Sequence, residues 1–429
     1  MYSIPTARLL RRNPIFRNFL LATTISLIGT CIFDISIPLY VLARTHSVWA
    51  LAAANIALTL PYFLMAPMTG YTVDHFDKRK IMILSDLGQV VAMIFLLGYE
   101  MWQGQALWPI LVAVFFAKTL MILFETVTTF QLVPAMVEPG DLSSANMYFL
   151  SSHRIIQVIG PLIGGFLLAG LGMRSCIIAN IVSFGATLFF TYKLSHLNEL
   201  IEGEPDDAKE NVSLSLRHMA TDFKESLRYV WNSPLFRPFV CLMFLWNLSS
   251  LIPNTPTLTY YFTEAFHFGP ERYGAVLSFI GVLGVIGYFH AAQVYKNASF
   301  ARTFSRSAVW QATFATGAIL FMPMPLMLAA LFGVSRMMTS VLTLGTFLLR
   351  QTEVPRTQIG AVNASIRMFF MSAAPISAVL QAFLIKHYGV SSSLVLGAVC
   401  MWGTAWYAQK VSYAFELKYP NFAEKKAAA

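Results

Sequence analysis

Asn13-Pro14-Ile15-Phe16-Arg17-Asn18-Phe19 returns in the second half of the chain as Ser233-Pro234-Leu235-Phe236-Arg237-Pro238-Phe239. The Pro, Phe, Arg and Phe positions match at one constant offset, and each copy stands directly ahead of a long apolar run. Such an arrangement reads as one membrane unit written twice, and a doubled bundle of membrane helices is a common plan for carriers. Weaker echoes agree with it. Pro134 and Pro355 follow the fourth and tenth apolar runs, and Asn146 and Asn363 open the fifth and eleventh.

Composition leads to the same place. The 429 residues are 56% hydrophobic and only 12% charged, with a mean hydropathy of +0.61. A soluble chain of this length could not hide so much apolar surface. Apolar stretches of roughly 20 residues, enough to cross a hydrocarbon core of about 30 Å as helices, recur about twelve times. They lie at 17–43, 48–72, 80–99, 106–132, 142–170, 174–193, 237–262, 271–293, 303–323, 326–349, 358–385 and 389–411. The predicted fold class is an all-α integral membrane protein, with twelve transmembrane helices in two pseudo-symmetric six-helix halves. The predicted division is 1–194, a linker at 195–232, and 233–429. The linker is polar at first. From Leu214 to Trp231, apolar residues recur every three or four positions, which predicts an amphipathic helix lying along the cytoplasmic surface.

The net charge of +9 is placed as a membrane protein places it. Loops that face inside if the N-terminus is cytoplasmic hold most of the Lys and Arg, whereas the opposite loops hold Arg44, Arg174, Arg272 and Lys386. This bias predicts both termini on the cytoplasmic side and argues against nucleic acid as partner. Cys31, Cys176, Cys241 and Cys400 all fall in apolar runs without metal-ligand or paired spacing, so they read as small packing residues. The first apolar run is too long for the core of a cleavable signal peptide, so none is expected.

After the second run the sequence reads Gly70-Tyr71-Thr72-Val73-Asp74-His75-Phe76-Asp77-Lys78-Arg79-Lys80-Ile81-Met82-Ile83. It resembles the signature loop of the major facilitator superfamily, and its D-x-F-D-K-R-K form is similar to the branch of macrolide-efflux and enterobactin-exporter-type carriers. Two positions depart from the pattern, His75 for the usual Arg and Asp77 for the usual Gly. The resemblance implies a cytoplasmic gate motif at Gly70, Asp74, Asp77, Lys78 and Arg79. Gly160-Pro161-Leu162-Ile163-Gly164-Gly165 in the fifth run resembles the core of the superfamily's antiporter motif, with Gly160, Pro161, Gly164 and Gly165 serving close helix approach and a bend.

Ionisable residues inside membrane spans are costly and point to a cavity or a partner. Asp34 lies in the first run, Lys118 and Glu125 in the fourth, Arg154 in the fifth, Arg336 in the tenth and Arg367 in the eleventh. The family fold, as the resemblance implies, lines its central cavity with the first, fourth, seventh and tenth spans, helped by the fifth and eleventh. Four cations are therefore expected around one cavity against two acids. Three readings compete: an anion site, where Arg offers planar bidentate pairing; structural ion pairs; and proton coupling through Asp34 or Glu125. The surplus of cations favours the anion site, with Lys118, Arg154, Arg336 and Arg367 as binding residues. Asn247 and Asn254 are further candidates for binding substrate. Trp246, Tyr260, Tyr261 and Gln311 could serve the substrate or simply pack, and His153 reads as packing or as a proton relay.

No P-loop, metal cluster or nucleophile–base motif is visible, so no cofactor, metal or catalysis is expected, and the proton gradient is the expected energy source. The expected protein is a monomeric carrier of the bacterial inner membrane, working by alternating access. Its expected role is proton-coupled export of a small anionic or polyfunctional molecule, most sharply a carboxylate siderophore. A multidrug or macrolide exporter, an importer of an organic anion or iron–siderophore, and a lysophospholipid flippase are the alternatives.

Overall fold

The computed structural model describes residues 6–65, 77–128, 132–138, 141–193, 224, 228, 230–233, 236–251, 255–297, 300–353 and 359–418. Among these, the structure is helical throughout. A chain in lipid must satisfy every backbone N–H and C=O within itself, which leaves helices as the solution for segments this apolar.

The helices in chain order are α1 (Thr6–Arg12), α2 (Pro14–Thr45), α3 (Val48–Leu64), α4 (Lys78–Met101), α5 (Trp108–Val127), α6 (Val133–Met136) and α7 (Leu142–Lys193). Next come α8 (Phe236–Leu251), α9 (Thr255–Tyr260), a π-turn over Tyr261–Ala265, α10 (Pro270–Asn297) and α11 (Phe300–Leu320). They end with α12 (Pro325–Glu353), α13 (Ile359–Tyr388) and α14 (Val390–Lys418). Apart from α1 and α6, the described helices fall on the apolar stretches expected, and seven of the segments are long and apolar enough by themselves to cross a membrane. Of the second stretch, the described helix ends at Leu64 and residues 66–72 lie outside the described residues. The fifth and sixth spans run on as α7, broken only at Gly172, whose φ of 75° is one that glycine adopts freely. The seventh stretch is described as α8, α9 and the π-turn, with residues 252–254 outside the described residues. Of the linker helix expected over Leu214–Trp231, all but residues 224, 228, 230 and 231 lie outside the described residues.

The repeated motif has one job in both places. The Asn13 side chain accepts the Phe16 N–H at 2.8 Å, and the Ser233 hydroxyl accepts the Phe236 N–H at 3.2 Å. Asn13 is the N-cap of α2, followed by Pro14 where the missing N–H does no harm, and the Ser233 hydroxyl makes the same contact ahead of α8. The phenylalanines after each cap are buried, Phe16 and Phe19 in one copy and Phe236 and Phe239 in the other, while Arg17 and Arg237 stay exposed. Asn13 also donates to the Met136 carbonyl at 2.6 Å, tying α2 to α6.

Packing gathers the helices into two groups. Helices α2, α3, α4, α5 and α7 contact one another, and α8, α10, α11, α12, α13 and α14 do the same. Two seams join them, α7 against α10 and α3 against α13. At the end carrying the two terminal helices, each buried cluster belongs to one group: Leu9, Phe16, Phe19 and Met82 in the first, Phe236, Tyr295, Phe304 and Ala408 in the second. At the opposite end the clusters cross between groups. Ile35 and Leu39 meet Leu258, Phe262 and Tyr273, and Val48 and Ala52 meet Ala378, Ala382 and Ile385. His46 and Glu264 add a polar contact of 3.6 Å there. Among the described residues, the molecule is thus closed between its halves at the end away from the terminal helices.

Candidate functional site: a charged interior between two helix groups

Lipid chains are as apolar as leucine, so close approach and polar contacts, not apolar burial alone, decide how these helices fit. The Gly160–Gly165 segment shows this. A Cβ at Gly160 would collide with Cys31 on α2, and one at Gly164 with Ile32 and Ile35. Gly165 faces the other way, against the backbone of Pro270 and Gly274 on α10, and Gly274 in turn lies against the Pro161 carbonyl. One small-residue stretch therefore seats α7 on its own group and across the seam at once.

Among the described residues, the contacts of the charged side chains fall into two sets. The Lys118 ammonium on α5 lies 2.6 Å from Asp34 Oδ1 on α2. Lys118 is buried and Asp34 partly open, with relative side-chain exposures of 6% and 40%. The expectation that Lys118 stands as a free cation for substrate thus meets a local carboxylate that already compensates it. Glu125 follows Lys118 on α5, half-buried.

The second set lies across the α7–α10 seam. Arg154 on α7 donates to the Tyr288 hydroxyl on α10 at 2.8 Å and to Gln157 Oε1 at 3.1 Å. Its guanidinium carbon also sits 4.4 Å from the centre of the Tyr288 ring. Arg336 on α12 rests its stem on Gly284 of α10, one turn before Tyr288, and its side chain is exposed. Among the described residues, no carboxylate lies within ion-pair distance of either arginine. Arg367 has its backbone in α13, and its side chain lies outside what is described.

The remaining candidates separate clearly. Asn247 donates to the Phe370 carbonyl, fastening α8 to α13. Trp246 donates to Gln311 at 3.0 Å, and Gln311 to Thr339 at 3.0 Å, a buried chain across α8, α11 and α12. The Tyr261 hydroxyl donates to the Met322 carbonyl at 3.0 Å. Here these polar groups hold helices together. His153 packs against Phe149 at a tilt, with ring centroids 4.5 Å apart. Asn254 lies outside the described residues, as do Gly70 and Asp74 of the gate motif. Asp77 caps α4, accepting the Lys80 N–H at 2.9 Å. Lys78 opens the helix, and Arg79 donates to the Tyr192 carbonyl at the end of α7 at 3.2 Å. The described part of the motif therefore acts within one helix group.

One buried acid escaped the sequence reading. Asp86 on α4 is 1% exposed. Its Oδ2 has no hydrogen-bond partner among the described residues. It reads in sequence as the tail of the signature loop. Its position two turns inside α4 is the signal that could have placed it in the membrane.

A two-group helix bundle with paired seams and charges in its interior is the build of a carrier. The sequence profile of the Major Facilitator Superfamily matches residues 19–378. The chain belongs to this superfamily of multi-pass membrane transporters. Macrolide efflux protein A of Streptococcus pyogenes is 27% identical over 143 residues, 33% of this chain and 35% of that protein. The match thus spans about a third of that relative's length. The enterobactin exporter EntS of Citrobacter koseri is 23% identical over 375 residues, 83% of this chain and 81% of that one. Among solved structures, a bacterial homologue of the iron transporter ferroportin in its inward-facing state superposes with a TM-score of 0.69 at 18% identity. That alignment covers 92% of this chain and 99% of the other, and it speaks to the fold.

Proposed function

We propose that the protein is a proton-driven exporter of a small anionic or polyfunctional molecule, with a polycarboxylate of the siderophore type as the sharpest candidate. The single observation that carries this reading is the charge balance of the interior. Asp34 compensates Lys118, but Arg154 and Arg336, one from each helix group, have no carboxylate within ion-pair distance among the described residues. Uncompensated guanidinium groups in a membrane interior attract an anion, which they can grip bidentately. The relatives named as efflux proteins support the outward direction.

In this reading residues 1–194 and 233–429 are the two rocking halves, joined by 195–232, in a monomer of the bacterial inner membrane with both termini cytoplasmic. The closed end of the structure is then the outer one, and the conformation faces the cytoplasm. Asp34 carries the coupling proton: protonation breaks its bond to Lys118, and deprotonation restores it. Arg367, Asn254 and Glu125 remain candidates for the substrate and proton path.

The test is flux in proteoliposomes. A pH gradient, acid on the side corresponding to the outside, should drive labelled polycarboxylate chelate across the membrane. The second reading, a macrolide or multidrug pump, is favoured by the similarity to macrolide efflux protein A. It would be preferred if macrolide moved under the gradient and the chelate did not.

A further inference from the structure

Two polar side-chain contacts bridge the helix groups among the described residues. One, His46–Glu264, is at the rim. The other, Arg154–Tyr288, joins α7 to α10. A phenol is a neutral acceptor offering one oxygen, whereas a carboxylate or phosphate brings opposite charge and can accept from a guanidinium through two parallel bonds. Next to this pair stands Arg336, whose stem rests on Gly284. It has no side-chain hydrogen-bond or carboxylate partner among the described residues. Two cations against the same stretch of α10, one bound to the neutral acceptors Tyr288 and Gln157 and one with no side-chain partner among the described residues, form a site that lacks its ligand's charge.

We propose that Tyr288 is a place-holder: it occupies Arg154 in the empty carrier, and an anionic oxygen of the cargo displaces it to bridge Arg154 and Arg336. This rests on the anion-cargo reading and deepens it. The ligand class is a carboxylate or phosphate, whether on a soluble molecule or on a lipid headgroup. Displacement also removes a polar tie across the α7–α10 seam. Loading and freedom of the halves to move are thereby linked, since the empty carrier keeps a contact that the loaded one lacks.

The experiment is calorimetric titration of the full-length carrier in detergent with citrate, inorganic phosphate and lysophosphatidylglycerol as probes. Arg154→Gln and Arg336→Gln should weaken binding of the preferred probe by about tenfold to a hundredfold. Arg336→Lys keeps the charge and loses the fork, so it should give an intermediate loss and serves if the Gln variant does not fold. Tyr288→Phe removes only the competing oxygen and should tighten binding about fivefold. A merely structural tyrosine would give no such tightening. Unchanged or weaker binding in Tyr288→Phe, beside losses at both arginines, overturns the displacement and leaves the anion-cargo reading intact. Retained affinity in both arginine variants overturns the site. Absence of binding by every probe overturns the anion-cargo reading and the displacement with it. If lysophosphatidylglycerol alone shows the expected pattern, the clamp stands with a lipid as its cargo.

Discussion

Asp34 Oδ1 and Lys118 Nζ lie 2.6 Å apart, joining the first and fourth membrane spans within one helix group. Either charge alone would be an uncompensated ion beside an apolar interior. We therefore expect Asp34→Asn and Lys118→Met each to lower stability by about 1–3 kcal/mol, less than for a fully dry pair because Asp34 is partly open. The double variant should recover most of that loss. Thermal unfolding of the four proteins in one detergent gives the double-mutant cycle, and additive losses would show that the pair is not energetically coupled.

The same pair bears on transport. In the proposed cycle, Asp34→Asn abolishes flux driven by a pH gradient and spares exchange of cargo at equal pH. Survival of pH-driven flux in this variant would make Asp34 a structural residue.

Gly165 and Gly274 face each other's helices where α7 and α10 touch, with no room for a Cβ. Gly165→Ala and Gly274→Ala should each force the seam apart at an overpacking penalty of about 1–3 kcal/mol. Spin labels at Ser47 and Lys386 report on closure of that end, and their distance distribution should move to longer values. Gly170, with nothing near its would-be Cβ, is the control whose Ala variant should change nothing. Equal distributions in all three variants would mean that this seam does not set the closed end.

The two caps should behave alike. Asn13→Ala and Ser233→Ala each remove the acceptor for a phenylalanine N–H, at about 1 kcal/mol. Being far apart, their effects should add. A much larger loss at Asn13 is expected only in so far as its second bond, to Met136, adds to it. Melting temperatures of the two single variants and the double variant check this.

Asp86 is buried, and its Oδ2 finds no donor among the described residues. Asp86→Asn keeps the shape and removes a buried charge, so its melting temperature should equal or exceed that of the parent. A fall of many degrees would reveal a partner for the carboxylate that the described packing does not contain.

Much of the architecture was legible because membrane helices announce themselves through length and hydropathy. The repeated Asn13-Pro14 and Ser233-Pro234 motifs mark two helix starts with the same capping chemistry, and that chemistry is local. Gly160, Gly164 and Gly165 could be read as sites of close approach, since lack of a side chain has few other uses in a lipid-facing helix. Their partners could not be read, because Cys31, Ile35 and Gly274 are distant in sequence. The charges show the limit most plainly. Their types and depths were visible, and four cations against two acids suggested a common ring. The fold instead gives Lys118 to Asp34 and places Arg154 with Tyr288, a residue that no pattern singled out. Asp86 was overlooked because a carboxylate beside a loop motif looks like part of the loop until helix α4 carries it inward.

The sequence alone determined that this chain crosses a membrane many times, that it is built twice, and that it keeps ionisable groups where lipid forbids idle ones. Those properties follow from residue type and spacing along one dimension. Only the tertiary structure decided which charges neutralise each other, which end of the bundle is shut, and that Arg154 and Arg336 are left without a counter-ion among the described residues. Coulomb energy and steric fit depend on distances of a few ångströms between spans, and those distances are set by packing across the bundle.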